Sequence, residues 1–208
     1  MAALEDLVER IDSLLPQTQC RRCGYPACRP YAEAVACGVA DINRCPPGGP
    51  STVAALAALT GKTARAIDPA CGAHEPLAVA RIVEPACIGC TLCITACPID
   101  AIIGAPKRMH AILPSLCTGC GLCLPPCPVD CIVLEPADRA WTHSDAAAAS
   151  ERYRARTARL ARSERIATRV AGVPTTRAQS DARTIRQARV AAAFARARAR
   201  RAGTKADP

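Results

Sequence analysis

The sequence predicts an α+β protein: a small α-rich domain, a second small domain made of an internal repeat, and an Ala/Arg-rich helical C-terminal extension. Three observations predict it. Aromatic residues are only 2% of the chain, which argues against ring-filled cores, while 18 prolines and 12 glycines punctuate its 208 residues. All 15 cysteines fall before residue 132. Charge divides near the same place, with a net −2 over residues 1–140 and a net +11 over residues 141–208. Small, loop-rich domains bury too little apolar surface to stand alone and need staples, which the cysteines must supply here.

Residues 1–16 read as an amphipathic helix. Leu4, Leu7, Val8, Ile11, Leu14 and Leu15 recur at helical spacing and Pro16 ends the run. Glu5, Asp6, Glu9 and Asp12 interrupt the apolar stretch, which excludes a secretory signal and favours packing on a neighbouring domain over membrane contact. No segment offers the roughly 18–20 uncharged apolar residues of a transmembrane helix. A cytoplasmic chain keeps its thiols reduced, so clustered cysteines, here an odd number, point to metal and not to disulfides.

Residues 17–50 form the α-rich domain. Cys20, Cys23, Cys28 and Cys45 are spaced C-x2-C-x4-C-x16-C, and two prolines and two glycines follow. On spacing alone, four thiolates there suit an iron–sulfur cubane and a zinc ion equally. Pro30 starts a helix that Gly38 ends, and Cys37 within it reads as a small buried side chain in preference to a fifth thiol of the site. A helix and linker occupy 51–76, with Ser51 as N-cap. The Gly-Lys-Thr at 61–63 is not a phosphate loop, because Leu56 stands where that pattern needs glycine and no strand precedes it. No G-x-G-x-x-G occurs, which argues against a nucleotide or flavin fold within the chain.

Residues 77–137 hold the repeat: a strand, a four-cysteine loop, a helical turn and a strand, occurring twice. The strands are LAVARIV (77–83), IDAII, MHAIL and CIVLEP. The loops read C-x2-C-x2-C-x3-C-P at Cys87, Cys90, Cys93, Cys97 and at Cys117, Cys120, Cys123, Cys127. Three thiolates at this spacing wrap one face of a cubane, and the fourth reaches the other cluster. Cluster I is therefore assigned to Cys87, Cys90, Cys93 and Cys127, and cluster II to Cys117, Cys120, Cys123 and Cys97. Zinc sites rarely use a third C-x2 step in a duplicated, Pro-capped run. The expected fold is a bacterial two-[4Fe–4S] ferredoxin-like domain with two short hairpin-like strand pairs and two helical turns. Gly89 and Gly119 are expected to let backbone N–H groups approach the sulfurs. His110 and Asp130 flank the loops and read as surface residues, not proton-transfer groups.

Residues 138–208 form the basic extension. From Trp141 it reads as two helices of roughly 25 residues, broken at Gly172 and Pro174, without an apolar stripe. Helices polar all round are often exposed or conditionally folded. Three readings compete: an exposed extension with no specific partner, docking to an anionic membrane surface, and binding of nucleic acid or acidic protein. Trp141, Tyr153 and Phe194 are too few aromatics to favour stacking on nucleic acid.

The stretch LPQTQCRRCGYPACRPYAEAVACGVADINRCPPGG, the two ferredoxin loops and MHAILPSLCTGCGLC together resemble the RnfB family, the iron–sulfur proteins of the Rnf electron-transport complex, over about residues 4–137. The resemblance implies a third [4Fe–4S] cluster on Cys20, Cys23, Cys28 and Cys45, and leaves Cys37, Cys71 and Cys131 as free thiols. It implies an electron-transfer subunit with no catalytic site of its own. Such a protein sits on the cytoplasmic side of a membrane complex that couples electron flow between ferredoxin and NAD to ion transport, so the partners would be other subunits of that complex. Members of that family usually begin with a hydrophobic anchor. This chain starts almost directly at the amphipathic helix, which predicts a peripheral association. The alternatives are a free-standing multi-cluster ferredoxin donating to a reductase, and a redox-sensing or nucleic-acid-binding protein that uses the basic tail.

Because ligation free energy is folding free energy at such sites, stripping iron is expected to unfold the body. Circular dichroism during chelation should show loss of cooperative unfolding; a cooperative transition in iron-free protein would contradict this.

Overall fold

The structure is a computed structural model that describes residues 2–171 together with Ala188 and Ala192. The chain divides into two compact units, 1–159 and 160–208.

Helix α1 (Ala2–Leu14) buries Val8 and Ile11, and Leu15 just beyond its end is also buried. It packs on α2 (Cys28–Ala36) and α3 (Gly49–Thr60) around a core that includes Tyr31, Val35, Ile42, Val53 and Leu56. On the outer face Arg29 of α2 pairs with Glu5 and Glu9 of α1 and with Glu33. These exposed pairs add little stability; the apolar seam holds the three helices together.

Helix α2 ends as expected near Gly38, whose φ of 73° suits the left-handed cap. Its start lies two residues before Pro30, at Cys28. Ser51 is not the cap of α3. That helix begins at Gly49, with Pro50 in its first turn, and Ser51 Oγ donates to Gly48 O within that turn (3.1 Å). Gly49 adopts a φ of 62°, which the two glycines permit and a local reading of Ser51 does not anticipate.

The repeat supplies β1 (Ala78–Ile82), α4 (Leu92–Ala96), β2 (Ile102–Ile103), β3 (Ala111–Ile112) and β4 (Ile132–Pro136). Two antiparallel pairs result. β1 pairs with β4, placing Ala80 opposite Leu134, and β2 pairs with β3, placing Ile102 opposite Ile112. Each sheet thus takes one strand from each repeat. That exchange brings the end of one cysteine loop towards the start of the other. The second helical turn is not a helix: residues 122–126 form turns only. Pro125 and Pro126 occupy positions that are Thr95 and Ala96 in α4, and they remove the N–H donors a helical turn needs.

Helix α5 (His143–Ala171) follows. Up to Arg159 it is not an exposed appendage. Ala146 and Ala149 are buried, Tyr153 packs on the core of the repeat, and Trp141 Nε1 donates to Pro16 O (2.9 Å). Arg154 pairs with Asp12, and Arg156 and Arg159 pair with Asp100. Thr142 and Asp145 cap the helix reciprocally: Thr142 N donates to Asp145 Oδ2 (2.9 Å) and Asp145 N to Thr142 Oγ1 (3.2 Å). In the second unit the helix is exposed from Leu160 to Thr168. The helix expected beyond Pro174 lies outside the described residues. Among the described residues no helix is long and apolar enough to cross a membrane.

Candidate functional site

The loop after α1 visits left-handed conformations at alternate residues: Gln17 (φ 53°), Gln19 (54°) and Arg21 (63°). Each such side-chain-bearing residue costs about 1–3 kcal/mol, so the surroundings must hold it there. A buried chain of hydrogen bonds does so. Gln17 Nε2 donates to Asp12 O (2.6 Å) and Oδ1 (2.8 Å), Gln19 Nε2 donates to Gln17 Oε1 (2.8 Å), and Gln19 Oε1 accepts from Cys28 N (2.9 Å). The α1 terminus thereby fixes Cys28. Tyr31 OH donates to Asp41 O (2.8 Å) and accepts from Arg44 N (3.2 Å), holding the segment that delivers Cys45. Left-handed turns of this kind aim successive N–H groups inward and form anion-binding hollows, a feature of many iron–sulfur sites.

Cys20, Cys23, Cys28 and Cys45 line the pocket that results. Burial pushes the Cys45 thiol up to about 12, opposed by the Gly48 N–H and reinforced by the neighbouring thiols. Cys28 and Cys23 are raised for the same leading reason. Four crowded thiolates in an apolar pocket repel one another and lose hydration. A cationic centre reverses both effects, so the donor set fits one. Cys71 lies beside this set and donates weakly to Asp68 Oδ2 (3.9 Å).

Cys97, Cys117, Cys120 and Cys123 line a second pocket, whose walls include Ala80, Ile99 and Ile102. The fourth cysteine of the first run thus meets the first three of the second. Backbone N–H groups of Ala80 and Ala101 point at Cys117 (3.4 Å) and Cys97 (3.3 Å). Burial raises Cys120 to about 11 and Cys123 to about 12, and neighbouring thiols add to both.

Cys87, Cys90 and Cys93 adjoin one another. Cys127 reaches this group beside Cys131: their sulfurs are 3.6 Å apart, and Cys131 also lies against Cys87. Burial pushes Cys131 up to about 12. Burial acts on Cys127 too, but the N–H groups of Val129 and Cys131 and the Cys131 thiol outweigh it and hold Cys127 below its ordinary value. Gly89 and Gly119 both have positive φ and lie against neighbouring backbone. A Cβ on Gly89 would strike the Arg108 backbone, and one on Gly119 would strike Ala78 O, so each loop lies directly against a strand or turn of the repeat.

Two sequence expectations are corrected. Cys37 is exposed, not buried, because it caps α2 on the side away from the core. His110 is not a surface residue: it is 1% exposed, with Nδ1 3.2 Å from Cys93 Sγ. Its position could have shown this, since it immediately precedes β3 and Ile112, two residues on, packs on the core. Asp130 is exposed, as expected.

The first pocket and the second adjoin. Thr118 Oγ1 donates to Thr18 O (3.1 Å), and Cys20 and Cys120 line one open cleft with Arg22, His74, Arg139 and Trp141. The first and second cysteine pockets thus lie in one unit, joined by the Thr118–Thr18 bond.

Comparison with known proteins agrees with this chemistry. Residues 80–134 match the family described as a 4Fe-4S dicluster domain, and residues 15–47 match a family described as an Fe-S cluster. The chain is 61% identical over 107 residues to the B subunit of the ion-translocating oxidoreductase complex of Thiobacillus denitrificans, covering 51% of this chain and 57% of that protein. It is 58% identical over 109 residues to the protein of the same name from Azoarcus sp., covering 52% and 60%. For that of Escherichia fergusonii the figures are 51% over 117 residues, covering 53% and 59%. The chain therefore spans little more than half the length of these relatives. No solved structure matches it.

Gly119→Ala and Gly121→Ala separate packing from backbone strain. Both positions have positive φ, but a Cβ at Gly121 meets only Leu134 Cδ1 at 4.0 Å. Gly121→Ala is expected to keep its full iron content at a strain cost of about 1–2 kcal/mol. Gly119→Ala should lose about four irons per chain, read by iron assay after reconstitution. Equal iron in the two variants would contradict the packing argument.

Proposed function

We propose that this chain, whose cysteine-bearing body is homologous to the B subunits of ion-translocating oxidoreductase complexes, relays electrons through three [4Fe–4S] clusters in an Rnf-type complex coupling electron transfer to ion translocation. The ligand sets are Cys20, Cys23, Cys28, Cys45; Cys87, Cys90, Cys93, Cys127; and Cys117, Cys120, Cys123, Cys97. The observation that carries the reading is the placing of Cys97 in one pocket with Cys117, Cys120 and Cys123, which a two-cluster ferredoxin-like domain requires. When bound, each cluster supplies a one-electron centre.

The residues of the chain do the rest. The alternating left-handed turns at 17–21 and the Gln17–Gln19 chain preform the first pocket, which lowers the ordering cost of ligation. The match of residues 15–47 to an Fe-S cluster family favours a cubane over zinc at these four cysteines. Ile99, Ile102 and Ala80 keep water from the second pocket, and the Thr118–Thr18 hydrogen bond locks the two cage-bearing parts together.

The proposed location is the cytoplasmic face of the inner membrane, peripherally bound to other subunits of the complex. Part of the basic extension is already engaged, since Arg154, Arg156 and Arg159 pair with Asp12 and Asp100. Arg152, Arg162 and Arg165 are exposed and available to an anionic membrane surface.

Iron and acid-labile sulfide per chain, after anaerobic reconstitution, test the proposal. Three cubanes give about 12 of each. Replacing Cys28 and Cys45 with Ala is expected to lower this to about 8 and leave the other two clusters loaded. About 8 in the unsubstituted chain, with zinc bound, would overturn the three-cluster reading.

A further inference from the structure

We propose that His110 is a positioning residue for cluster I, donating its Nδ1–H to the Cys93 sulfur and raising the reduction potential of that cluster alone. The proposal rests on the ligand set proposed above. Three observations carry it. His110 is 1% exposed and its Nδ1 lies 3.2 Å from Cys93 Sγ. Its Nε2 is buried without a hydrogen-bond partner among the described residues. Gly104, opposite it across the β2–β3 pair, leaves the ring its place, because a Cβ there would collide with His110 Cδ2.

The chemistry follows from the donor rules. A ligating thiolate can only accept, so the ring nitrogen that faces it must carry the proton. Cys93 is then the ring's one polar partner. Burying an imidazole with its other nitrogen unpaired is costly, and an apolar residue would fill the site without that cost. A charge-assisted N–H···S bond in a low-dielectric pocket is the compensating gain. Such bonds stabilise the more negative, reduced cluster and move its potential upward.

The repeat identifies what is special here. The two cysteine runs are offset by thirty positions, and the same offset relates Ala80 to His110. Ala80 lies at the other pocket, where only its backbone N–H meets a sulfur, that of Cys117 at 3.4 Å. The small and large partners are also exchanged: Ala80 faces Leu134, whereas His110 faces Gly104. An imidazole donor is therefore present at one cluster of the pair and missing from its counterpart, where the side chain that bonds a ligand is Thr118, at Cys120. This separates two sites whose ligand loops are otherwise alike.

The test uses the full chain, reconstituted anaerobically, with ¹⁵N-histidine. His110 is one of three histidines; His74 and His143 line neither of the two cysteine pockets, though both line the open cleft beside Cys20 and Cys120. Pulsed EPR of the reduced, unsubstituted protein should show a ¹⁵N coupling at one cluster. Potentiometric EPR of His110→Leu should show one of three midpoints shifted downward, with the ratio of reduced to oxidised cluster at fixed poise falling about tenfold, or 59 mV for one electron. His110→Asn, whose amide N–H takes the place of Nδ1–H, should restore most of the shift. Loaded protein with no ¹⁵N coupling, with no midpoint moved, or with all three moved together, would overturn the proposal for His110 while leaving the ligand assignment standing. If His110→Leu does not load, the ¹⁵N coupling in the unsubstituted chain decides alone. Failure of the unsubstituted chain to load about 12 irons would instead overturn the three-cluster reading on which the proposal rests.

Discussion

Everything in this molecule depends on burying thiols in groups of four. A buried thiol resists ionisation, and its neighbours resist it further: Cys45 and Cys123 are pushed up to about 12 and Cys120 to about 11. A fold that gathers such groups into pockets is unfavourable unless cations take the place of their protons. This explains why so little else is needed. The helical core has one large fully buried ring, Tyr31, and the repeat is pinned by two sheets of only two strands each. Two-stranded sheets are marginal in water, so the cysteine pockets between them must carry the stability.

The same constraint sets the local backbone. Loops that wrap thiols around a compact centre must turn repeatedly, and they do so at residues that pay for it in strain: Gln17, Gln19, Arg21, Thr91 and Asp130 all have positive φ. Glycine would relieve that strain, but at 17 and 19 the side chains are needed, because they form the buried chain that fixes Cys28. Where the loop must instead touch a strand, glycine is retained, as at Gly119 against Ala78.

The cysteine runs were legible because their spacing is dictated by ligand chemistry, and the strands were legible because short β-branched stretches flank each run. What escaped was set by tertiary context. Pro125 and Pro126 replaced the second helical turn, though proline's effect was visible in the sequence. Gly49, not Ser51, opens α3 because a left-handed glycine and Pro50 shape that entry. The docking of residues 141–159 had no local signal at all. Its arginines find Asp12 and Asp100, acids that are far away in sequence and unremarkable within their own segments. His110 was misplaced by its polarity, although the parity of β3 and its offset from Ala80 both put it inside.

The central claim is a chain of three interacting one-electron centres, and stoichiometric reduction tests it most directly. Anaerobic titration with a low-potential reductant, followed by EPR, is expected to take up about three electrons per chain. The final spectrum should be broadened by coupling between adjacent reduced clusters, because Cys97 of the first run lies among the cysteines of the second and Thr118 is bonded to Thr18 beside Cys20. Uptake of two electrons, or three uncoupled signals, would contradict the account.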